Sequence, residues 1–279
     1  MTDLISSLID EHAVDGYRQD FNIDPILFWR RADALDRQGI TEIRYIEGLY
    51  LFWDTLLERH PHLLIDNCAS GGRRIDLETI SRSIPLWRSD VQCVTDFDPI
   101  AGQIQTHGLA HWIPCHTIGT HLKPGDTYNF RSAMSTGIAF HAGMYEATPI
   151  PIDYPWDWHH RMAGELRRVI ECSLGDYYPL INSGLSDNGW LLYQMHRPDL
   201  GVGFIVAFRR PDSEFELGRF RLKAIGPGSY NLEDVDSQRV WTADAQELVS
   251  QGISIHLPEA RSSKLIFYSR LSPPLIFTD

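Results

Sequence analysis

The sequence predicts an α/β fold that passes into an all-β segment, and three observations carry this reading. Helix-like and strand-like segments alternate from the first residues to about residue 185. Two apolar runs, 63–65 and 84–87, each end in polar residues, so two successive strand ends deliver polar groups to one rim of a parallel sheet. From about residue 186 onward the runs are short and β-rich, and Gly, Pro, Asp and Ser separate them. The expected domains are therefore 1–185, an α/β region, and 186–279, an antiparallel β-sandwich.

Each element has its own signal. Leu4, Ile5, Leu8 and Ile9 recur at helical spacing, and His12 to Gly16 interrupt them before a strand at Tyr17 to Phe21. Ile43 to Arg59 carries Ile46, Leu49, Tyr50, Trp53, Leu56 and Leu57 at helical intervals and stops at His60-Pro61. Leu63 to Ile65 then starts a strand that opens into Asp66, Asn67, Cys68, Ser70, Gly71 and Gly72. Asp76 to Arg82 is expected as a short helix, Ile84 to Trp87 as the next strand and Phe97 to Leu109 as the helix after it. Trp112 to Cys115 and Ser135 to His141 are expected strands, and His160 to Leu174 is a helix with Met162, Leu166, Val169 and Ile170 on one face. The character changes around Tyr178 to Asn188. Beyond it, Trp190 to His196, Gly203 to Arg209, Gly218 to Ile225, Ser229 to Asp234 and Lys264 to Ser269 are expected strands.

Composition bounds the partners. At 279 residues with 43% apolar and 22% charged side chains, the chain has ordinary globular content and enough length to bury a core. A formal charge of −12 argues against a nucleic-acid or anionic-membrane surface and leaves neutral ligands as natural partners. No apolar run approaches the ~20 residues that a membrane span requires. Cys68, Cys93, Cys115 and Cys172 are widely spaced without a Cys-x-x-Cys pair, which suits reduced thiols and a cytoplasmic location. His111, His116 and His121 lie five apart, a spacing that matches neither one strand face nor helical zinc ligands, so no metal or other cofactor is expected.

The segment Leu64 to Asp90 concentrates the chemistry. Its Cys68, Gly71, Gly72, Arg74, Asp76, Trp87, Ser89 and Asp90 follow the order Cys-x-x-Gly-Gly, Arg, Asp and Trp-x-Ser-Asp. That stretch resembles the acid/base region of the glycoside hydrolase family 36 α-galactosidases. Upstream, Val14 to Asn22 is similar to the family's nucleophile strand, usually Lys-Trp-Asp-x-Asn, with Asp20 on the nucleophile. Arg18 and Gln19 replace the Lys and Trp, which keeps the positive charge and changes the shape beside the sugar hydroxyls. In that family an all-β domain and the first barrel strands precede the nucleophile strand, whereas here Met1 stands shortly before Asp20. The resemblance thus implies a partial (β/α)8 TIM-type barrel, about strands four to eight, followed by the β-sandwich.

What the resemblance implies for chemistry is a retaining hydrolase of terminal α-galactosides. Cleavage through an oxocarbenium-like state needs a carboxylate on one face of the sugar and a proton donor at the leaving oxygen. Asp20 and Asp90 fill those two catalytic roles in this reading, with Arg18, Asn22, Cys68, Gly71, Arg74 and Trp87 at the substrate. The residues alone leave quieter alternatives open. Cys68 is either a sugar contact or a small buried apolar side chain, and Gly71 and Gly72 serve either the sugar or a tight turn. Trp87 is a sugar platform or core filling; Asn22 positions the nucleophile or caps the next segment. Arg73 and Arg74 bind hydroxyls or form solvated ion pairs. His121 falls where the family has a barrel-loop histidine, which implies a supporting role in the site. The alternatives for the whole chain are a catalytically silent carbohydrate-binding or assembly fragment, or a glycosidase of altered sugar specificity. A partial barrel leaves open sheet edges and apolar faces, so a homo-oligomer that covers them is the expected partner beside the oligosaccharide substrate.

Overall fold

The computed structural model describes residues 1–94, 96–141, 150–181 and 188–271, with the side chains of 139–141 left aside. The chain divides into two compact units, Met1–Asp90 and Val91–Asp279.

The first unit is an α/β layer. Helix α1 (Thr2–His12) leads into strand β1 (Gly16–Asp20), then come the short helix α2 (Ile26–Ala32), the long helix α3 (Ile40–Arg59), strand β2 (Leu64–Cys68) and the single turn α4 (Leu77–Ile80). β1 and β2 pair in parallel, with Gly16 opposite Leu64 and Asp20 opposite Cys68, so both strands end at the same level. The core of the unit is the stripe Leu49, Trp53 and Leu56 of α3 against Ile9 of α1 and Leu63 and Ile65 of β2. Those α3 positions are four and three residues apart, which places them on one helical face. Asp33 joins α2 to α3, because its carboxylate accepts from the backbone N–H of Gly39 at 2.7 Å and of Thr41 at 3.0 Å. α4 starts in a capping box in which Asp76 accepts from the N–H groups of Glu78 and Thr79 while Thr79 returns a bond to Asp76.

The expected strand at Ile84 to Trp87 is reduced to one bridge. Ile84 donates to Ile65 at 2.8 Å and accepts from Asn67 at 3.2 Å, parallel to β2. Pro85 then has no N–H to extend the ladder, and the run continues as loop.

In the second unit, helix α5 (Pro99–Leu109), strand β3 (Ile118–His121), helix α6 (Thr127–Ser132), strand β4 (Ile138–His141) and helix α7 (Trp156–Ser173) precede the β-rich part. β3 and β4 form a second parallel pair, with Ile118 opposite Ile138. Trp112 to Cys115, expected as a strand, instead closes α5: Trp112 and Ile113 both donate to the Leu109 carbonyl, and Pro114 follows. The β-rich part holds β5 (Asp176–Pro179), β6 (Trp190–Arg197), β7 (Val202–Arg209), β8 (Leu217–Phe220), β9 (Ser229–Asp234), β10 (Arg239–Asp244), helix α8 (Ala245–Ser250), β11 (Ile253–His256) and β12 (Ser262–Arg270). Six of these strands form an antiparallel sheet in the order β10-β9-β12-β7-β6-β5, and β8 pairs with β11. One sheet face, with Tyr193, Phe204, Val206 and Phe267, packs on Met162, Leu166 and Val169 of α7. The other, with Leu192, Ile205 and Ile266, is covered by Leu248 of α8 and Ile253 and Ile255 of β11. Strands β6 and β7 are therefore buried on both sides, and each carries an apolar run, Trp190–Tyr193 and Phe204–Phe208.

A buried ion triad ties the helices to this sheet. Arg131 of α6 is only 1% exposed, donates to both carboxylate oxygens of Glu165 on α7 at 2.9 and 3.0 Å, and reaches Asp236 after β9 at 3.0 Å. Arg131→Ala leaves Glu165 buried without its cation, and such breakage costs about 3–5 kcal/mol. Chemical denaturation of the variant is expected to show a loss of that size, with Arg131→Lys recovering part of it because one ammonium replaces a two-pronged contact.

Candidate active site

The parallel ends of β1 and β2 bring the predicted residues together within the first unit. Side chains alternate along β1. Tyr17 and Gln19 face α3, where the ring of Tyr17 meets Phe52 edge-on and Gln19 accepts a 2.8 Å hydrogen bond from the Trp53 indole. Arg18 and Asp20 therefore share the opposite face of the strand, and the Arg18 guanidinium donates to the Asp20 carboxylate at 3.2 Å. Gln19, expected to alter the shape beside the sugar, is thus a helix-facing residue; a one-residue step along a strand changes the face.

Asp20 lies directly opposite Cys68 in the parallel register of β1 and β2. Burial pushes the Cys68 thiol above its ordinary range, so it stays protonated as a small, neutral neighbour of Asp20. After β2 the chain makes its glycine turn. Ser70 has a φ of 49° and Gly71 a φ of 75°, and Asn22, two residues past Asp20, accepts from the Ser70 N–H at 2.6 Å. Asn22 thereby fastens the loop of one strand to the loop of the other. The turn passes against the loop that carries Asp90: a Cβ on Gly71 would lie 2.8 Å from the Asp90 nitrogen, and one on Gly72 would lie 2.4 Å from the Arg88 carbonyl oxygen. Both glycines are needed for this approach, Gly71 also for its backbone angle.

Asp90 is held by Trp87, whose indole N–H donates to its carboxylate at 3.0 Å. The Trp87 ring is 8% exposed, so it fills the core while its nitrogen serves the acid. Arg74 stands elsewhere than expected. Its guanidinium donates to the Cys68 carbonyl at 2.8 Å and lies over the Trp53 ring at 6.0 Å, a position on the α3 side that braces the end of β2. The cluster at the strand ends thus contains Asp20, Arg18, Asn22, Cys68, Gly71, Trp87 and Asp90, while Arg74 supports it from behind.

Asp66 was not among the expected site residues. Buried in the middle of β2, its carboxylate accepts from Arg18 through one oxygen and from the Leu86 N–H at 3.1 Å through the other. The signal was present in the sequence as an acid between apolar Ile65 and the Asn67-Cys68 strand end, since a buried carboxylate requires a cation or several donors.

In the second unit, the ring of His121 bonds to the Val94 carbonyl at 3.0 Å and lies beside Phe97, and the His116 N–H bonds to the Thr136 hydroxyl at 2.9 Å. Among the described residues, no group of three or more His, Cys, Asp and Glu is gathered around a point suited to a metal ion.

Residues 1–157 match the melibiase family model. The α-galactosidase of Escherichia coli is 31% identical over an alignment that takes in 94% of this chain and 39% of that protein. The probable α-galactosidase C of Aspergillus terreus is 24% identical over 83% of this chain and 30% of its own length. Among solved structures, the α-galactosidase from Lactobacillus brevis superimposes with a TM-score of 0.74 at 18% identity, over 98% of this chain and 38% of that one. The family 36 α-galactosidase AgaA of Geobacillus stearothermophilus, solved in complex with raffinose, gives 0.71 at 19% identity, over 97% of this chain and 37% of that one. At these identities the structures establish a shared fold, and the chain spans under two fifths of each of these proteins.

Proposed function

The chain belongs to the melibiase family, and from that premise we propose that it carries the catalytic carboxylates of a retaining glycoside hydrolase acting on terminal α-galactosides. The observation that supports this most is the approach of Asp20 and Asp90 to one turn: Asp20 stands opposite Cys68 at the end of β2, and the backbone of Asp90 packs on Gly71 three residues later. In this reading Asp20 attacks the anomeric carbon from the β face and forms a galactosyl ester, while Asp90 protonates the departing glycosidic oxygen. Asp90 then takes a proton from water, which attacks the same carbon from the α face, frees Asp20 and restores the starting configuration. Arg18 orients the Asp20 carboxylate, the Trp87 indole orients that of Asp90, and the neutral Cys68 thiol is a hydrogen-bonding group beside the sugar. The residues of the cluster carry out this sequence without a metal or organic cofactor.

A second reading rests on the extent of the match and on the edge of β1. The chain spans 39% of its Escherichia coli relative, and among the described residues β1 pairs with β2 alone. Here the other edge of β1 takes a further strand before activity appears. One experiment separates the two. The purified chain is assayed on nitrophenyl α-galactoside, with the β-galactoside and α-glucoside as controls, while its mass in solution is measured. Selective α-galactoside cleavage supports the first reading, whereas activity only after addition of an upstream family fragment supports the second. Activity on neither route rejects the glycosidase assignment.

A further inference from the structure

We propose that Asp66 is a positioning residue for both carboxylates of the site, an inference that rests on the glycosidase reading given above. Asp66 is linked to each of the two by hydrogen bonds. Through one oxygen it receives Arg18, whose second terminal nitrogen reaches Asp20 at 3.2 Å. Through the other it receives the Leu86 N–H at 3.1 Å, and the next residue, Trp87, donates its indole N–H to Asp90 at 3.0 Å. A single buried carboxylate thus connects β1, β2 and the run that leads to Asp90.

The pattern of exposure argues that this is more than a fold-stabilising ion pair. The Arg18 side chain is 42% exposed and that of Asp66 10%. Pairs with a solvated partner contribute little to stability, whereas burying the carboxylate has a definite cost. What the arrangement does achieve is to fix the direction of a guanidinium. Arg18 stands where the family pattern has a lysine, and a planar fork with two terminal nitrogens spans two carboxylates as a single ammonium does not. One arm is anchored on the buried Asp66, so the other stays on Asp20. The same anchor keeps the backbone at Leu86 in place, and with it the indole that aims Asp90.

Asp66→Asn in the full chain tests this, since it preserves size and the acceptor for Leu86 but sets an amide N–H against the Arg18 donor. Turnover on nitrophenyl α-galactoside is expected to fall about a hundredfold, the scale of an ångström-sized misplacement, with KM changed by less than about threefold because ground-state binding is kept. Arg18→Lys is expected to lose activity as well. The double variant is then expected to be little worse than Asp66→Asn alone, as for two residues acting through one contact. A crystal structure of Asp66→Asn supplies a readout independent of activity: the Arg18 guanidinium is expected to leave Asp20. Should Asp66→Asn fail to fold, Arg18→Gln on the half-exposed strand face reports the same contact, and unchanged turnover in it overturns the proposal. Unchanged kcat in a folded Asp66→Asn variant also overturns it while leaving the glycosidase reading intact. A wild-type chain inactive both alone and with an upstream family fragment rejects that reading instead, and the Arg18–Asp20 separation in the variant then decides the positioning claim alone: retention refutes it.

Discussion

Asp20→Ala is expected to reduce turnover of nitrophenyl α-galactoside by about 10⁴-fold or more, the scale seen when a residue central to the bond-making step is removed. The reason lies in the sequence of events. Without the carboxylate no galactosyl ester forms, and the first step has no nucleophile on the β face. Azide is small enough to occupy the space left by the side chain and carries its own negative charge, so adding it at high concentration is expected to restore nitrophenol release. Attack by azide at the position of Asp20 gives β-galactosyl azide, with inverted configuration. Proton NMR of the product distinguishes this from its α anomer. Full activity in the alanine variant without azide removes Asp20 from the nucleophile role.

The groups around Asp20 belong to the first unit. Asp20 is positioned there by the Arg18 guanidinium on its own strand, by the β1–β2 ladder that sets it opposite Cys68, and by Asn22, which ties the two loops together. Truncating Asp20 leaves the core formed by Leu49, Trp53, Leu56 and Ile65 untouched, because Asp20 is on the strand face opposite α3. A loss of activity therefore reports chemistry, and an unchanged unfolding transition in the variant is the control.

How much of this was legible before the structure varies with the physical origin of each feature. Strand β9, Ser229–Asp234, has the bounds expected from its period-two pattern, and α3 and α7 follow their apolar stripes closely. These elements are encoded by burial on one face. α2 has no buried residue at all, and β10 is an edge strand whose side chains are mostly exposed, so neither carries a periodic apolar signal. Both arise from neighbours: α2 from the Asp33 link to α3, β10 from its ladder to β9. At the site, Asp20, Cys68, Gly71 and Asp90 were readable as motif positions. The division of labour between Arg18 and Gln19 depends on which strand face each occupies. The location of Arg74 depends on the Trp53 ring, twenty-one positions upstream and on another element. Asp66 was legible only as a charge with no stated partner, and its partners lie on two different chain runs.

The partner carboxylate leads to a complementary result on the opposite face of the same sugar. Asp90→Ala removes the proton donor of the first step and the base of the second, and loss of a positioned acid or base costs about 10²–10⁴-fold. The cost depends on the leaving group. Nitrophenolate departs readily without protonation, so formation of the galactosyl ester from nitrophenyl galactoside is expected to survive in part, while cleavage of an α-galactosyl sugar, whose alkoxide is a poor leaving group, falls by the full amount. Azide then acts on a different face from before. With Asp20 intact the ester already occupies the β face, and azide, needing no general base, attacks from the α face to give α-galactosyl azide. The two alanine variants are thus distinguished by the anomer of a single product, β for Asp20 and α for Asp90. Trp87→Phe offers a graded version of the same test. It retains the ring that fills the core but removes the N–H that holds Asp90 at 3.0 Å, so a smaller loss, confined to substrates that need protonation, is expected. If both alanine variants gave the same anomer, or if Asp90→Ala affected nitrophenyl and sugar leaving groups equally, the assignment of nucleophile and acid to these two positions would not stand.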